Sequence, residues 1–242
     1  MNAIQIKSLS KRYGGVLAVD DLSLSVKRGE LFALLGVNGA GKSTTIKMLS
    51  CLTAPTGGDA LVCGHSIITE RDEVRKIIAV SPQESAVAPA LTVKENIELI
   101  CGVHGINKRE HKPRVEELTQ LLGLNEVLER RAGKLSGGWQ RRLSIAMALV
   151  TKPQVLFLDE PTLGLDVLVR AELWNIIRSL KGEVTIVLTT HNMDEAEKLS
   201  DTVAIMDKGK LIICDTPENI KRKADAQNLE DAFVRAVRGQ IV

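Results

Sequence analysis

The stretch Leu31-Phe32-Ala33-Leu34-Leu35-Gly36-Val37-Asn38-Gly39-Ala40-Gly41-Lys42-Ser43-Thr44 decides the fold. Its five leading apolar residues read as a strand buried on both faces. Gly36 to Thr44 then satisfies G-x-x-x-x-G-K-[ST], and a helix is predicted to follow over residues 44–52. Glycines at 36, 39 and 41 let backbone N–H groups turn inward around an anion, where a Cβ would obstruct phosphates. The helix N-terminus adds partial positive charge. Lys42 is placed to reach β- and γ-phosphates, and Ser43 to offer its hydroxyl to Mg²⁺. A nucleoside triphosphate cradle is expected from Gly36, Asn38, Gly39, Ala40, Gly41, Lys42, Ser43 and Thr44.

Outward from this loop, short apolar runs recur at residues 77–80, 155–158 and 185–188. Each is bounded by turn or helix signals, as strands of a covered parallel sheet are. Residues 203–206 and 210–213 flank Asp207-Lys208-Gly209 and read as a closing hairpin. Upstream, Ile4 and Ile6, then Leu22, Leu24 and Val26, alternate with polar residues, which predicts half-exposed antiparallel strands. Between 89 and 150 helical periodicity takes over. The expected class is α/β, with an N-terminal antiparallel β-subdomain and an inserted α-helical subdomain. One domain is expected over 1–242: a core of 1–88 and 151–216, a helical lobe of 89–150, and a helical tail of 217–242. Within the tail, Leu229, Ala232, Phe233, Ala236 and Val237 share a helix face behind Asn228 as N-cap.

Val155-Leu156-Phe157-Leu158-Asp159-Glu160 is a buried strand ending in two acids. Side chains alternate across a strand, so the pleat would aim the two carboxylates differently. Asp159 is the candidate Mg²⁺ ligand. Glu160 is the candidate general base on an attacking water, an effect worth about 10²–10⁴ in rate.

Leu135-Ser136-Gly137-Gly138, followed by Trp139-Gln140-Arg141-Arg142, resembles the signature of ATP-binding cassette (ABC) ATPases. The remaining markers fall in that family's order. Tyr13 resembles its adenine-stacking aromatic residue, Gln83 its Q-loop glutamine, Leu163-Gly164-Leu165-Asp166 its D-loop, and His191 its switch histidine. The resemblance runs from Tyr13 to about Ile213 and implies a P-loop NTPase with a RecA-like core that hydrolyses ATP with Mg²⁺. It implies that Gln83 meets the metal or the water, that His191 orients Glu160, and that two cassettes sandwich two ATPs. Ser136, Gly137 and Gly138 would then face the partner's γ-phosphate, with Asp166 nearby. Read from the residues alone, Ser136 is a good helix N-cap with free N–H groups behind it. Two positions depart from the family pattern: Trp139 stands where glutamine is frequent, the glutamine moving to Gln140, and Leu163 where serine or asparagine is frequent.

The segment Thr190 to Asp201, Leu91 to Asn96, and Asn228 to Phe233 are similar to cassettes of drug, lipid, polysaccharide and ion exporters. The implied partners are an integral membrane transporter subunit and a second nucleotide-binding subunit, either a copy or a paralogue. The alternative is a soluble ABC ATPase acting on ribosomes or nucleic acid. Translation-factor relatives carry two cassettes in one chain, and repair relatives split theirs with coiled coils; neither pattern is present. An unrelated P-loop kinase would leave Ser136–Gly138 unexplained. A net charge of +2 gives no ground to expect nucleic acid. Four cysteines without a CxxC pair argue against a zinc site or disulfide framework. Met1 to Lys7 shows no secretion pattern, and no apolar run nears the ~18 residues of a spanning helix. The expected location is cytoplasmic, peripheral on the inner face of the membrane through the partner.

Overall fold

In the computed structural model, which describes residues 1–240, two long strands open the chain: β1 (Asn2–Tyr13) and β2 (Val16–Lys27). They pair antiparallel, and β1 also pairs antiparallel with β4 (Gly57–Val62), which carries the short β5 (His65–Ser66). This first sheet has the order β2-β1-β4-β5. The second contains β3 (Leu31–Leu35), β6 (Ile78–Ser81), β7 (Val155–Asp159), β8 (Thr185–Thr190), β9 (Thr202–Asp207) and β10 (Lys210–Asp215) in the order β10-β9-β3-β8-β7-β6. Every pairing in it is parallel except the β9–β10 hairpin. The α/β class expected from the apolar runs is therefore the class observed.

The central strand shows why those runs were continuous. All five residues of β3 are buried. Phe32 and Leu34 point into a core shared with Phe157, Val187, Met206 and the first sheet. Leu31, Ala33 and Leu35 point the other way, into a core shared with Leu156, Leu158, Ile186 and the helices. With both faces covered there is no polar side to alternate, and each fully buried large side chain contributes about 1.5–3 kcal/mol.

Helix α1 (Lys42–Leu49) leaves the glycine-rich loop two residues earlier than predicted and ends where Cys51 turns left-handed, with φ 58°. Strands β4 and β5 and helix α2 (Arg71–Ile77) were not anticipated. The sequence Gly57-Gly58-Asp59 reads as a turn, yet it forms the start of an edge pairing. A Cβ on Gly58 would lie 2.1 Å from the Ser8 carbonyl oxygen, so only glycine fits that close approach.

Between β6 and β7 lie α3 (Val93–Val103), α4 (Lys108–Leu121) and α5 (Gly137–Leu149). Thr92 and Glu95 form a capping box at the start of α3. The fully buried Asn96 accepts from Ala88 N at 2.8 Å and donates to Thr92 O at 2.8 Å, pinning the loop before that helix. Val93, Ile97, Leu118, Leu143 and Ile145 share one core with Leu156 and Leu158 of β7. After β7 come α6 (Val167–Ser179) and α7 (Met193–Leu199), and after β10 come α8 (Pro217–Lys223) and α9 (Leu229–Val237). Asn228 caps α9 by accepting from Asp231 N at 2.8 Å, and Leu229, Ala232, Phe233 and Ala236 are buried. Val237, placed on the same face from sequence, is 37% exposed. Residues 241–242 of the expected tail lie outside the described residues. Among the described residues no helix is long and apolar enough to cross a membrane.

Candidate active site

At the C-terminal ends of β3, β7 and β8 lies a cleft of about 510 Å³, lined by Asn38 to Thr44 with Ala18, Gln83, Glu160, Leu163 and His191. The loop that forms it is held by neighbouring strands. Gly36 would put a Cβ 2.5 Å from the Met206 carbonyl oxygen, and Gly41, at φ 102°, would put one 2.5 Å from that of Ala18. These two glycines are thus required by the protein's own backbone, a constraint the sequence did not reveal. Gly39, at φ 85° with open space around it, is required by conformation alone.

Lys42 is 5% exposed. Its Nζ donates to Gly36 O at 2.7 Å and Val37 O at 3.2 Å, and lies 3.5 Å from Glu160 Oε1. Ser43 Oγ donates to Asp159 Oδ1 at 3.0 Å, and the Thr189 hydroxyl donates to the same oxygen. No hydrogen bond among the described residues uses Asp159 Oδ2. Ser43 and Asp159 therefore present hard oxygen donors side by side, a set that fits a small divalent cation.

Strand alternation does not aim Glu160. It lies one residue past β7 with φ 48°, and its N–H donates to Thr189 O at 3.2 Å and Thr189 Oγ1 at 3.0 Å. A left-handed residue held from β8, rather than the pleat, sets its side chain. The carboxylate is 9% exposed and is held at both ends: Lys42 sits at Oε1, and His191 Nδ1 lies 2.8 Å from Oε2. Gln83 is exposed at the cleft wall, with its carbonyl accepting from Arg141 Nη2 at 2.5 Å.

The other candidates do not line this cleft. Tyr13 is 46% exposed on the β1–β2 hairpin, with Lys11 Nζ 4.9 Å from its ring centre. Ser136 takes the N-cap position of α5, but its hydroxyl makes no capping bond and is exposed. Gly137 has no atom nearer than 3.8 Å to an added Cβ, whereas one on Gly138 would meet Val169 Cγ1 at 2.4 Å. Gly138 thus serves the packing of α5 on α6. Asp166 caps α6, accepting from Leu168 N at 3.1 Å and Val169 N at 3.0 Å. The side chain of Gln140 does not take over the displaced signature glutamine's place at the surface. It turns inward and donates to Ala132 O and Leu135 O, while Arg142 stacks on Trp139 at 4.9 Å.

Two buried charges beside the cleft escaped the sequence reading. Arg141 is 5% exposed and reaches from α5 to the backbone around Gln83 and Glu160. Burial lowers its pKa, opposed by the negative fields of Asp159 and Glu195. Glu195, 1% exposed in the first turn of α7, accepts through Oε1 from Thr162 Oγ1 at 2.7 Å and Trp174 Nε1 at 3.0 Å. Burial raises its carboxyl above the usual value, with hydrogen bonds from Thr190, Thr162 and Trp174 pulling back and the charge of Glu160 adding to the rise.

Comparison with known proteins agrees with this geometry. Residues 19–163 match the family described as ABC transporter. The chain is 41% identical over 239 residues to the daunorubicin/doxorubicin resistance ATP-binding protein DrrA of Streptomyces peucetius, covering 97% of this chain and 72% of that one. It is 39% identical over 241 residues to the probable multidrug ABC transporter ATP-binding protein YbhF of Escherichia coli, covering 97% of this chain and 41% of that one. A solved structure described as the ATP binding subunit of an ABC transporter superposes with a TM-score of 0.85 at 28% identity, covering 97% of this chain and 99% of the other. With its phosphate loop, acidic strand end and signature helix in these positions, the chain belongs to the ABC transporter family and is one of its ATPases.

Proposed function

We propose that this chain is the motor of a membrane exporter, binding ATP and Mg²⁺ in the cleft and hydrolysing the γ-phosphate. The observation that carries this reading is the single carboxylate of Glu160, held at one oxygen by Lys42 and at the other by His191. Lys42 and the N–H groups of the loop bind the phosphates. Ser43 and Asp159, with Gln83 at the cleft wall, would hold Mg²⁺, which neutralises phosphate charge when bound. Glu160 takes the proton of the attacking water, and His191 keeps its carboxylate oriented. Tyr13, half-exposed on the hairpin beside the loop, offers its ring to the adenine.

Ser136, Gly137 and Gly138 lie outside the chain's own cleft, so a phosphate that meets them belongs to another molecule. The uncommitted Ser136 hydroxyl and the first N–H groups of α5 form the anion-binding end of that helix. We take them, with Asp166 at the neighbouring helix start, to face the ATP of a second cassette, a copy or a paralogue. Residues 89–150 act as the lobe that carries this surface, 1–88 and 151–216 as the ATP-binding core, and 217–242 as the tail. Residues 83–105 convey closure to a membrane-spanning subunit, which holds the chain on the cytoplasmic face. The names of DrrA and YbhF, a drug-resistance and a multidrug protein, favour export over a ribosomal or nucleic-acid role.

The test is Glu160→Gln. It keeps the shape of the side chain and removes the base, so turnover should fall about 10²–10⁴-fold while ATP binding survives. Light scattering at millimolar ATP should then show an accumulated dimer. A monomer that persists even with the membrane subunit present would sink the sandwich. Capture from detergent-solubilised membranes should bring a multi-spanning protein; recovery with ribosomes or DNA alone would sink the exporter reading.

A further inference from the structure

Arg141 is a buried cation whose hydrogen bonds go to peptide carbonyls alone. Nη1 donates to Pro82 O at 2.6 Å, and Nη2 to Gln83 O at 2.5 Å and, more weakly, to Glu160 O at 3.4 Å. Among the described residues it has no carboxylate within ion-pair distance, although Asp159 and Glu195 lie near enough to favour its charge. Burying an arginine without a paired acid is costly, and helix stability does not require it, because an apolar residue could fill the same space. What such a residue would lose is the fork: two donors in one rigid plane, each on a different peptide.

The three carbonyls belong to two parts of the site. Pro82 and Gln83 follow β6, and Gln83 stands in the cleft wall; Glu160 follows β7. Arg141 itself stands in α5, one turn beyond the Ser136–Gly138 end, and α5 is otherwise fixed by the burial of Leu143, Ile145 and Ala146 in the core. Residues 82–88 have no regular structure, so their backbone position depends on such individual bonds.

We infer that Arg141 is a positioning residue for hydrolysis: it holds the Gln83 peptide to the helix that begins at Ser136, so that the Gln83 side chain enters the cleft only when that helix is in place. It makes no contact with the phosphates and acts through Gln83. This rests on the assignment of Gln83 and Glu160 to the site, and the test separates the two.

Arg141→Lys and Arg141→Met would be compared with the unaltered chain in steady-state ATP hydrolysis, with ATP affinity and thermal unfolding measured on each. For Arg141→Met, kcat should fall about tenfold to hundredfold, with KM for ATP within about threefold of the unaltered value. Arg141→Lys, which keeps a charge and one donor centre, should recover part of that loss. In a Gln83→Ala background the further loss from Arg141→Met should shrink to less than about threefold, since the group it positions is already gone. Losses that multiply in the double variant overturn the inference, as does an unchanged kcat. A variant that unfolds early is replaced by the lysine variant, for which the same double comparison decides. Failure of the underlying site assignment would show separately, as activity retained in Gln83→Ala and Glu160→Gln with Arg141 intact.

Discussion

Glu160 and His191 share a hydrogen bond of 2.8 Å although one side chain is 9% exposed and the other 44%. The buried member is the carboxylate and the exposed member is the imidazole. On the other flank Glu160 keeps Lys42, whose ammonium is also tied to the loop carbonyls. The acid is therefore held by the lysine of the glycine-rich loop on one side and by His191 on the other.

Removing the imidazole should disturb the aim and spare the binding. His191→Ala is expected to lower kcat about tenfold to hundredfold while ATP affinity stays near that of the unaltered chain, because the cradle contacts do not involve position 191. Equilibrium binding of a fluorescent ATP analogue beside steady-state turnover checks this. A matched loss of both would place His191 in ground-state binding.

Gly138 and Gly137 should respond in opposite ways to a methyl group. Gly138→Ala drives a Cβ to 2.4 Å from Val169 Cγ1 and should cost about 1–3 kcal/mol in urea unfolding. Val169→Ala should return part of that stability in the double variant. Gly137→Ala meets nothing closer than 3.8 Å and should be neutral or slightly stabilising in the isolated chain. Equal destabilisation by both would contradict the packing role of Gly138.

The buried Glu195 links pH to stability. Its raised pKa means that the folded chain binds the proton more tightly than the unfolded one. Its contribution is complete below the unfolded value of 4.5 and is lost as pH rises through the higher folded value. Glu195→Gln keeps an acceptor for Thr162 and Trp174 and does not titrate. Urea unfolding from about pH 5 to about pH 8 should thus move the stability difference steadily in favour of the glutamine variant. Glu195→Leu should instead lose about 1–3 kcal/mol for each stranded donor. A difference that moves toward the unaltered chain as pH rises would refute the assignment.

Much of the fold was legible because β3, β7 and β8 are covered on both faces, which leaves apolar runs with sharp ends. The glycine-rich loop, Asp159 and Glu160 were legible because their residue types fall together in short order, whereas His191 stood out only through the resemblance to the family. Strand β4 was not, since Gly57-Gly58-Asp59 carries a turn's composition and pairs only because β1 is already there. Arg141 and Glu195 were not, because a charged residue in a helical pattern reads as solvent-facing until the neighbours that bury it are placed. Ser136 had the identity of a capping residue and the position of one, yet its hydroxyl is left uncommitted. Glu160 lies in the cleft, but not for the reason its residue type and strand suggested: a positive φ just past the strand end, and not the pleat, sets the direction of its side chain.

Gly36 and Gly41 fit only because the carbonyls of Met206 and Ala18 press against them, one from β9 and one from β2. The phosphate loop is thus clamped between the two sheets and takes its curvature from them. Its ordering entropy is spent once, when the chain folds, and not again at each encounter with nucleotide. A ligand that arrives then meets a finished mould, and what stands outside that clamp is the exposed imidazole of His191 and the irregular wall at Gln83.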